Sequence, residues 1–178
     1  MKKIIVFLIL ILVILSSSSC GPLRINPMEL KAERETANSR FENLLDKLES
    51  KDFEGVKSLF AESAKQTEDF DRKLSMLINY YKGESYNYDD HGTGPGASET
   101  INGGRKKIEY TESYDVFTTE EVYRIFYIEI VRNDFDEDEV GITSIYIIKL
   151  KNDITPELVY VGDGKGTPGI HIAKTREN

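Results

Sequence analysis

Apolar residues fall along this chain in three regimes. Ile4 to Leu15 is an unbroken run of twelve apolar residues. From Leu30 they recur at helical spacing: Leu30, Ala37, Phe41, Leu44, Leu45 and Leu48 share one face, with Glu, Lys and Arg on the other. This predicts an amphipathic helix from Pro27 to Ser50, with Pro27 in its first turn. Ser50 or Asp52 can cap a second, short helix carrying Phe53, Val56, Leu59 and Phe60. Thr67 can cap a third, carrying Phe70, Leu74, Leu77, Ile78 and Tyr81, with Gly83 just past its end.

From Ser85 the period drops to two. Tyr86 and Tyr88 mark a first strand, and the polar, glycine-rich stretch Asp89 to Gly104 reads as a loop. Arg105 to Phe117 is a second strand. Ile108, Tyr110, Tyr114 and Val116 lie on one face, and Lys107, Glu109, Thr111, Ser113 and Asp115 on the other. Tyr123 to Arg132 (YRIFYIEIVR) is aromatic or β-branched almost throughout, so both its faces need cover and it belongs inside a sheet. Short connectors at 118–121 and 133–139 predict two hairpins, the second leading into Val140 to Leu150. A pairing segment at Leu158 to Val161 and a terminal Ile170-His171-Ile172-Ala173 follow. Helices first and then hairpin-linked strands give an α+β fold: N-terminal helices packed on a strongly curved antiparallel β-sheet.

The apolar run changes the topology of the whole protein. Twelve residues fall short of the roughly 20 a spanning helix needs. Behind the basic Met1-Lys2-Lys3 the run reads as the core of a signal peptide. Ser16 to Ser19 lead to Cys20, the single cysteine of the chain. That arrangement resembles a bacterial lipobox, although Ser17 stands where leucine is commonest. It implies a signal peptide over 1–19, acyl chains on Cys20, a tether over 20–27 and one α+β domain over 28–178. Two acyl chains anchor stably where one does not. The competing reading is an ordinary secretory signal with an incidental cysteine. The expected location is the cell membrane, lipid-anchored on its extracytoplasmic face.

Charge narrows the partners. Net charge is −8, and losing Lys2 and Lys3 with the leader makes it −10. So acidic a chain lacks the basic footprint that nucleic acid requires. Anionic headgroups repel it, so membrane attachment has to be covalent or mediated. One cysteine and two distant histidines, His91 and His171, argue against a Cys- or His-based metal site, and no cofactor is implied.

Several strings resemble a known family: LFAESAK at Leu59 to Lys65, DFDRKLSMLINYYKGES at Asp69 to Ser85, YDVFTTEEVYRIFYIEIV at Tyr114 to Val131, VGITSIYIIK at Val140 to Lys149 and VGDGKGTPGIHI at Val161 to Ile172. The chain is similar to a family of bacterial lipoproteins, the domain of unknown function 5104, within the nuclear transport factor 2-like (cystatin-like) superfamily. The resemblance implies a cone of three helices against a bent sheet. It implies no activity, because that family has none assigned and fold alone does not give function.

The sharpest candidate for chemistry is Glu112, on the same strand face as Ile108, Tyr110, Tyr114 and Val116. A carboxylate among aromatics is desolvated, which raises its pKa and suits a general base or acid. Ketosteroid isomerase pairs such a carboxylate with a tyrosine donor. Here Tyr110 or Tyr127 would steady an oxyanion. The bland alternative puts Glu112 at a rim, facing water. Arg124 and Glu129 lie on opposite faces of the central strand, where a cross-strand ion pair is expected. Asp134, Asp136 and Asp138 alternate as in a calcium loop, but the sixth position is Glu139 rather than glycine and the twelfth is Ile145 rather than glutamate. Gly162 to Gly166 lacks phosphate-loop spacing. His91 and His171 read as surface histidines.

Tyrosines outnumber what a dry core accommodates, since each hydroxyl wants a partner. Tyr81, Tyr110, Tyr114 and Tyr127 are the candidate ligand-binding residues at the open end of the cone; the alternative is a core of partly exposed tyrosines. Two functions from different classes follow. One is a non-enzymatic binding module for a small amphipathic ligand or an envelope protein. The other is an isomerase- or lyase-like enzyme using Glu112. Homodimerisation through the sheet is a third possibility.

Overall fold

The computed structural model describes residues 27–90, 96–150 and 166–172, with side chains from residue 35 and, in the second segment, from residue 98. Two compact units divide the chain, 1–32 and 33–178; of the first only the backbone from Pro27 is described. Cys20, the tether, His91 and the pairing segment at 158–161 lie outside the described residues.

Helix α1 runs Pro27–Glu49 and buries Ala37, Phe41, Leu44, Leu45 and Leu48, the face expected from the spacing. Helix α2, Phe53–Ser58, starts at Asp52, whose carboxylate accepts from the Gly55 amide at 2.8 Å. Asp52→Ala is expected to lower stability by about 1 kcal/mol and Asp52→Asn by much less, read from urea midpoints. A four-residue helix α3, Glu62–Lys65, has no counterpart in the periodicity. Helix α4, Phe70–Tyr80, buries Phe70, Leu74, Leu77 and Ile78. Its cap is not Thr67, whose hydroxyl donates to Ala64 O at 2.7 Å; Asp69, at φ 60°, holds the N-cap position.

Among the described residues six strands form one sheet: β1 Ser85–Asp90, β2 Gly96–Asn102, β3 Arg105–Thr118, β4 Val122–Asn133, β5 Gly141–Lys149 and β6 Gly169–Ile172. Both β1 and β2 pair antiparallel with β3, and the order continues through β4 and β5 to β6. The stretch expected to be a loop therefore contains a strand. Gly96 to Asn102 is polar because Ser98 to Asn102 are exposed, so no apolar alternation advertises it. As expected, β4 is interior, between β3 and β5.

The sheet is mixed, curved and not closed. The expectation of a purely antiparallel sheet fails at β6, which pairs parallel with β5 from Ser144↔Gly169 to Ile147↔Ile172. Register shifts interrupt the β3–β4 and β4–β5 ladders. The second lets Ile142 and then Ile145 and Ile147 all reach the core, because Thr143 is the extra residue.

One face of the sheet packs on α1 and α4 through Tyr114, Val116, Tyr123, Ile125, Tyr127, Ile142, Ile145 and Ile147. Full burial of each of the aliphatic side chains among them contributes roughly 1.5–3 kcal/mol. On the other face Arg124 is buried and bonds Asp115 twice, at 2.6 and 2.8 Å, directly across the β3–β4 ladder. That is the cross-strand pair expected for Arg124. Glu129 instead finds a helical partner.

Candidate functional site

Glu112 is the residue where fold and chemistry meet. It is 4% exposed, so it does not face water at a rim. Strand β3 sets it on the core face two residues before Tyr114, and the register places it opposite Tyr127 on β4. Helix α1 roofs the same spot. Phe41 stacks on Tyr114, with centroids 3.9 Å apart, and lies parallel to Tyr127 at 6.1 Å. One residue earlier, Arg40 reaches down to Glu129, with Nε donating to Oε2 at 2.6 Å. Its guanidinium also lies 4.9 Å from the centre of the Tyr110 ring.

The electrostatics follow from this enclosure. Burial lifts the Glu112 carboxyl from 4.5 to about 7. The Tyr114 hydroxyl, donating at 3.3 Å, and the Arg40 charge oppose that lift; Asp90 and Glu129 add to it. Burial raises Glu129 too, against its Arg40 ion pair. It also drives Tyr114 and Tyr127 upward, so both phenols stay protonated donors. The result is a carboxyl that changes charge near neutrality among fixed hydrogen-bond donors. Glu112 Oε1, Tyr127 Oη and Arg40 Nη2 are all buried with no partner.

A second feature is open. A groove of about 540 Å³ runs between α1 and β1, lined by Asn38, Glu42, Leu45, Asp46 and residues 85–88. Tyr86, 69% exposed, stands at its edge. Tyr88 donates to Glu42 at 2.8 Å and packs edge-on against Phe41 and Tyr114. Asn38 belongs to both features, since it lines the groove and accepts from the Tyr114 hydroxyl at 3.4 Å.

The four candidate tyrosines do not share one open surface. Tyr81, Tyr114 and Tyr127 are interior, and Tyr110 is partly exposed. Tyr114 and Tyr127 belong to the cluster around Phe41. Tyr81 stacks on Tyr123 at 5.0 Å in a separate cluster with Tyr80. His171 is not a lone surface histidine: it stacks on Tyr146 at 4.3 Å, with Nε2 2.8 Å from Thr167 O. In the acidic turn Asp134 is paired with Arg132 at 2.7 Å, and Glu139 with Lys107 at 2.9 Å. Among the described residues no group of three or more His, Cys, Asp or Glu could hold a metal ion. No described helix is long and apolar enough to cross a membrane.

Sequence reading missed Asn38 and Arg40, which periodicity assigns to the polar side of α1. Residues 43–150 match the family described as "Domain of unknown function (DUF5104)". No curated protein matches the chain.

Proposed function

Because the chain belongs to this family of unknown function, its role has to be argued from the site, and we propose a lipid-anchored, extracytoplasmic binding module on the nuclear transport factor 2-like cone, taking a small amphipathic cation in the α1–β1 groove. The groove carries the reading. Its lining includes the exposed Tyr86 and the partly exposed Tyr88, which can meet an apolar body, above the buried Leu45. Glu42 and Asp46 face its charged end, with no basic residue in the lining. Such a mixed lining suits a ligand with one greasy and one charged end. The acidic chain adds long-range attraction for cations. Anchorage at Cys20 would hold the domain at the outer membrane surface, where amphipaths partition.

Titration of the full chain in mild detergent with octylammonium and with octanoate tests the groove. Octylammonium is expected to shift the amide signals of residues 85–88 saturably, and octanoate to leave them unmoved. Equal response to both, or to neither, ends the groove reading. The mass of the same preparation tests the anchor: a retained leader with an unmodified thiol removes it.

A specific observation favours a second reading. Glu112 is desolvated and faces the unpartnered Tyr127 hydroxyl across the ladder, the pairing that proton transfer next to a carbonyl needs. In that reading Glu112 is the base and Tyr127 the oxyanion donor of an isomerase- or lyase-like reaction.

A further inference from the structure

We infer that Glu112 regulates the α1–β1 groove through one proton, that of the Tyr114 hydroxyl. With Glu112 protonated, the hydroxyl donates to Asn38 Oδ1. With Glu112 ionised, it donates to Glu112 Oε2 and leaves Asn38 Oδ1 to a cation in the groove. The inference rests on the groove reading above and names its regulation. Its geometry is a hydroxyl between two acceptors. Tyr114 Oη lies 3.3 Å from Glu112 Oε2 and 3.4 Å from Asn38 Oδ1. A phenol has one proton to give, and neither bond is short, so neither acceptor holds it alone. Burial keeps the phenol protonated, so it stays a donor in both states.

Charge decides which acceptor wins. A hydrogen bond to a carboxylate is roughly twice as strong as one to a neutral oxygen, an advantage that a protonated carboxyl loses. Asn38 stands at the groove end of the relay. It lines the groove, and with Glu42 and Asp46 it forms a row at four-residue spacing along α1. An Asn38 oxygen released by Tyr114 therefore joins two carboxylates on the same ligand. Glu112 is buried beneath α1 and is not among the lining residues, so Tyr114 and Asn38 are its hydrogen-bonded route to the groove. Arg40 on α1, Asp90 on β1, and Tyr127 and Glu129 on β4 surround Glu112, while Tyr88 on β1 faces the Tyr114 ring. Arg40 favours the ionised carboxyl, and Asp90 and Glu129 oppose it. With burial they set its change of charge at about pH 7.

The test uses the full chain in mild detergent, with 13C-carboxyl glutamate and 15N-labelled asparagine side chains. The Asn38 carboxamide signal is expected to move with pH at the midpoint of the Glu112 carboxyl. Octylammonium is expected to bind about tenfold more tightly at pH 8.5 than at pH 5.5. Linkage is reciprocal, so saturating octylammonium lowers the Glu112 midpoint by about one pH unit. Glu112→Gln is expected to keep the weak affinity at both pH values. Tyr114→Phe is expected to keep the tight one, since screening holds the through-space remainder below about threefold. A carboxyl acting only through space leaves the whole step in Tyr114→Phe, and that result overturns the inference. So does an undiminished step in Glu112→Gln, which passes the role to Glu129 or Asp90. If octylammonium binds at neither pH, the groove reading fails and the Asn38 signal still decides the relay. A carboxamide that tracks Glu112 upholds it, and one unmoved while Glu112 titrates overturns it. The same wild-type signal decides the matter if either variant does not fold.

Discussion

Replacing Glu112 by glutamine is expected to stabilise the protein by about 3 kcal/mol at pH 8 and to change little at pH 4. The sign follows from linkage. In the unfolded chain Glu112 ionises near 4.5; in the folded protein burial holds it to about 7. Below pH 4.5 both states carry the proton and there is no penalty. Between 4.5 and 7 the folded state binds more protons than the unfolded, so wild-type stability falls as pH rises. Above 7 both are ionised, and the folded protein carries the full cost of a desolvated carboxylate. The amide of the Glu112→Gln variant never ionises, so this part of the slope vanishes. A smaller slope of the same sign remains from Glu129, whose pKa is also raised by burial. Chemical denaturation at a series of pH values from 4 to 8 measures the difference. A Glu112 carboxyl that titrates like a free one would remove the burial argument and the proton-transfer reading together.

The same residue shows what the sequence made legible. Strand alternation alone puts Glu112 with Tyr114 and Val116, and the structure keeps them on one buried face. Periodicity works there because β3 is long and one-sided. It cannot pair Arg40 with Glu129, which are 89 residues apart and meet only once α1 crosses the sheet. It places Arg40 correctly on the polar side of the helix. It cannot show that this side overlooks a buried carboxylate. It also misses β2, although a local signal is present. Gly103 and Gly104 both have positive φ, 59° and 81°, as a two-residue hairpin turn requires. The Asn102-Gly103-Gly104 string reads as looseness because no apolar residues alternate on its first arm. The parallel β6 is invisible for a different reason. Parallel pairing follows a crossover connection, and nothing within Gly169–Ile172 encodes its direction.

Gly141→Ala is expected to destabilise the protein by at least about 3 kcal/mol, lowering the melting temperature by roughly 10 °C. Gly141 opens β5 at φ +121°, a conformation that side chains rarely adopt. It also sits where the segment after α2 docks on the sheet. Ala61 N donates to Ile142 O at 3.0 Å, and Ile142 N to Leu59 O at 2.8 Å, an isolated parallel bridge. A Cβ on residue 141 would stand 2.7 Å from Ala61 N, 2.9 Å from Leu59 O and 2.9 Å from Phe60 C. All three are backbone atoms, so no rotamer change relieves the clash. The bridge has to open, and both hydrogen bonds and the seating of Phe60 against Phe70 go with it. Gly103→Ala supplies the comparison, since its φ is also positive, at +59°, but nothing lies within 4 Å of an added Cβ. There only backbone strain remains, about 1 kcal/mol. Equal losses for the two variants, by thermal unfolding under one condition, would show that this bridge does not hold the helices to the sheet.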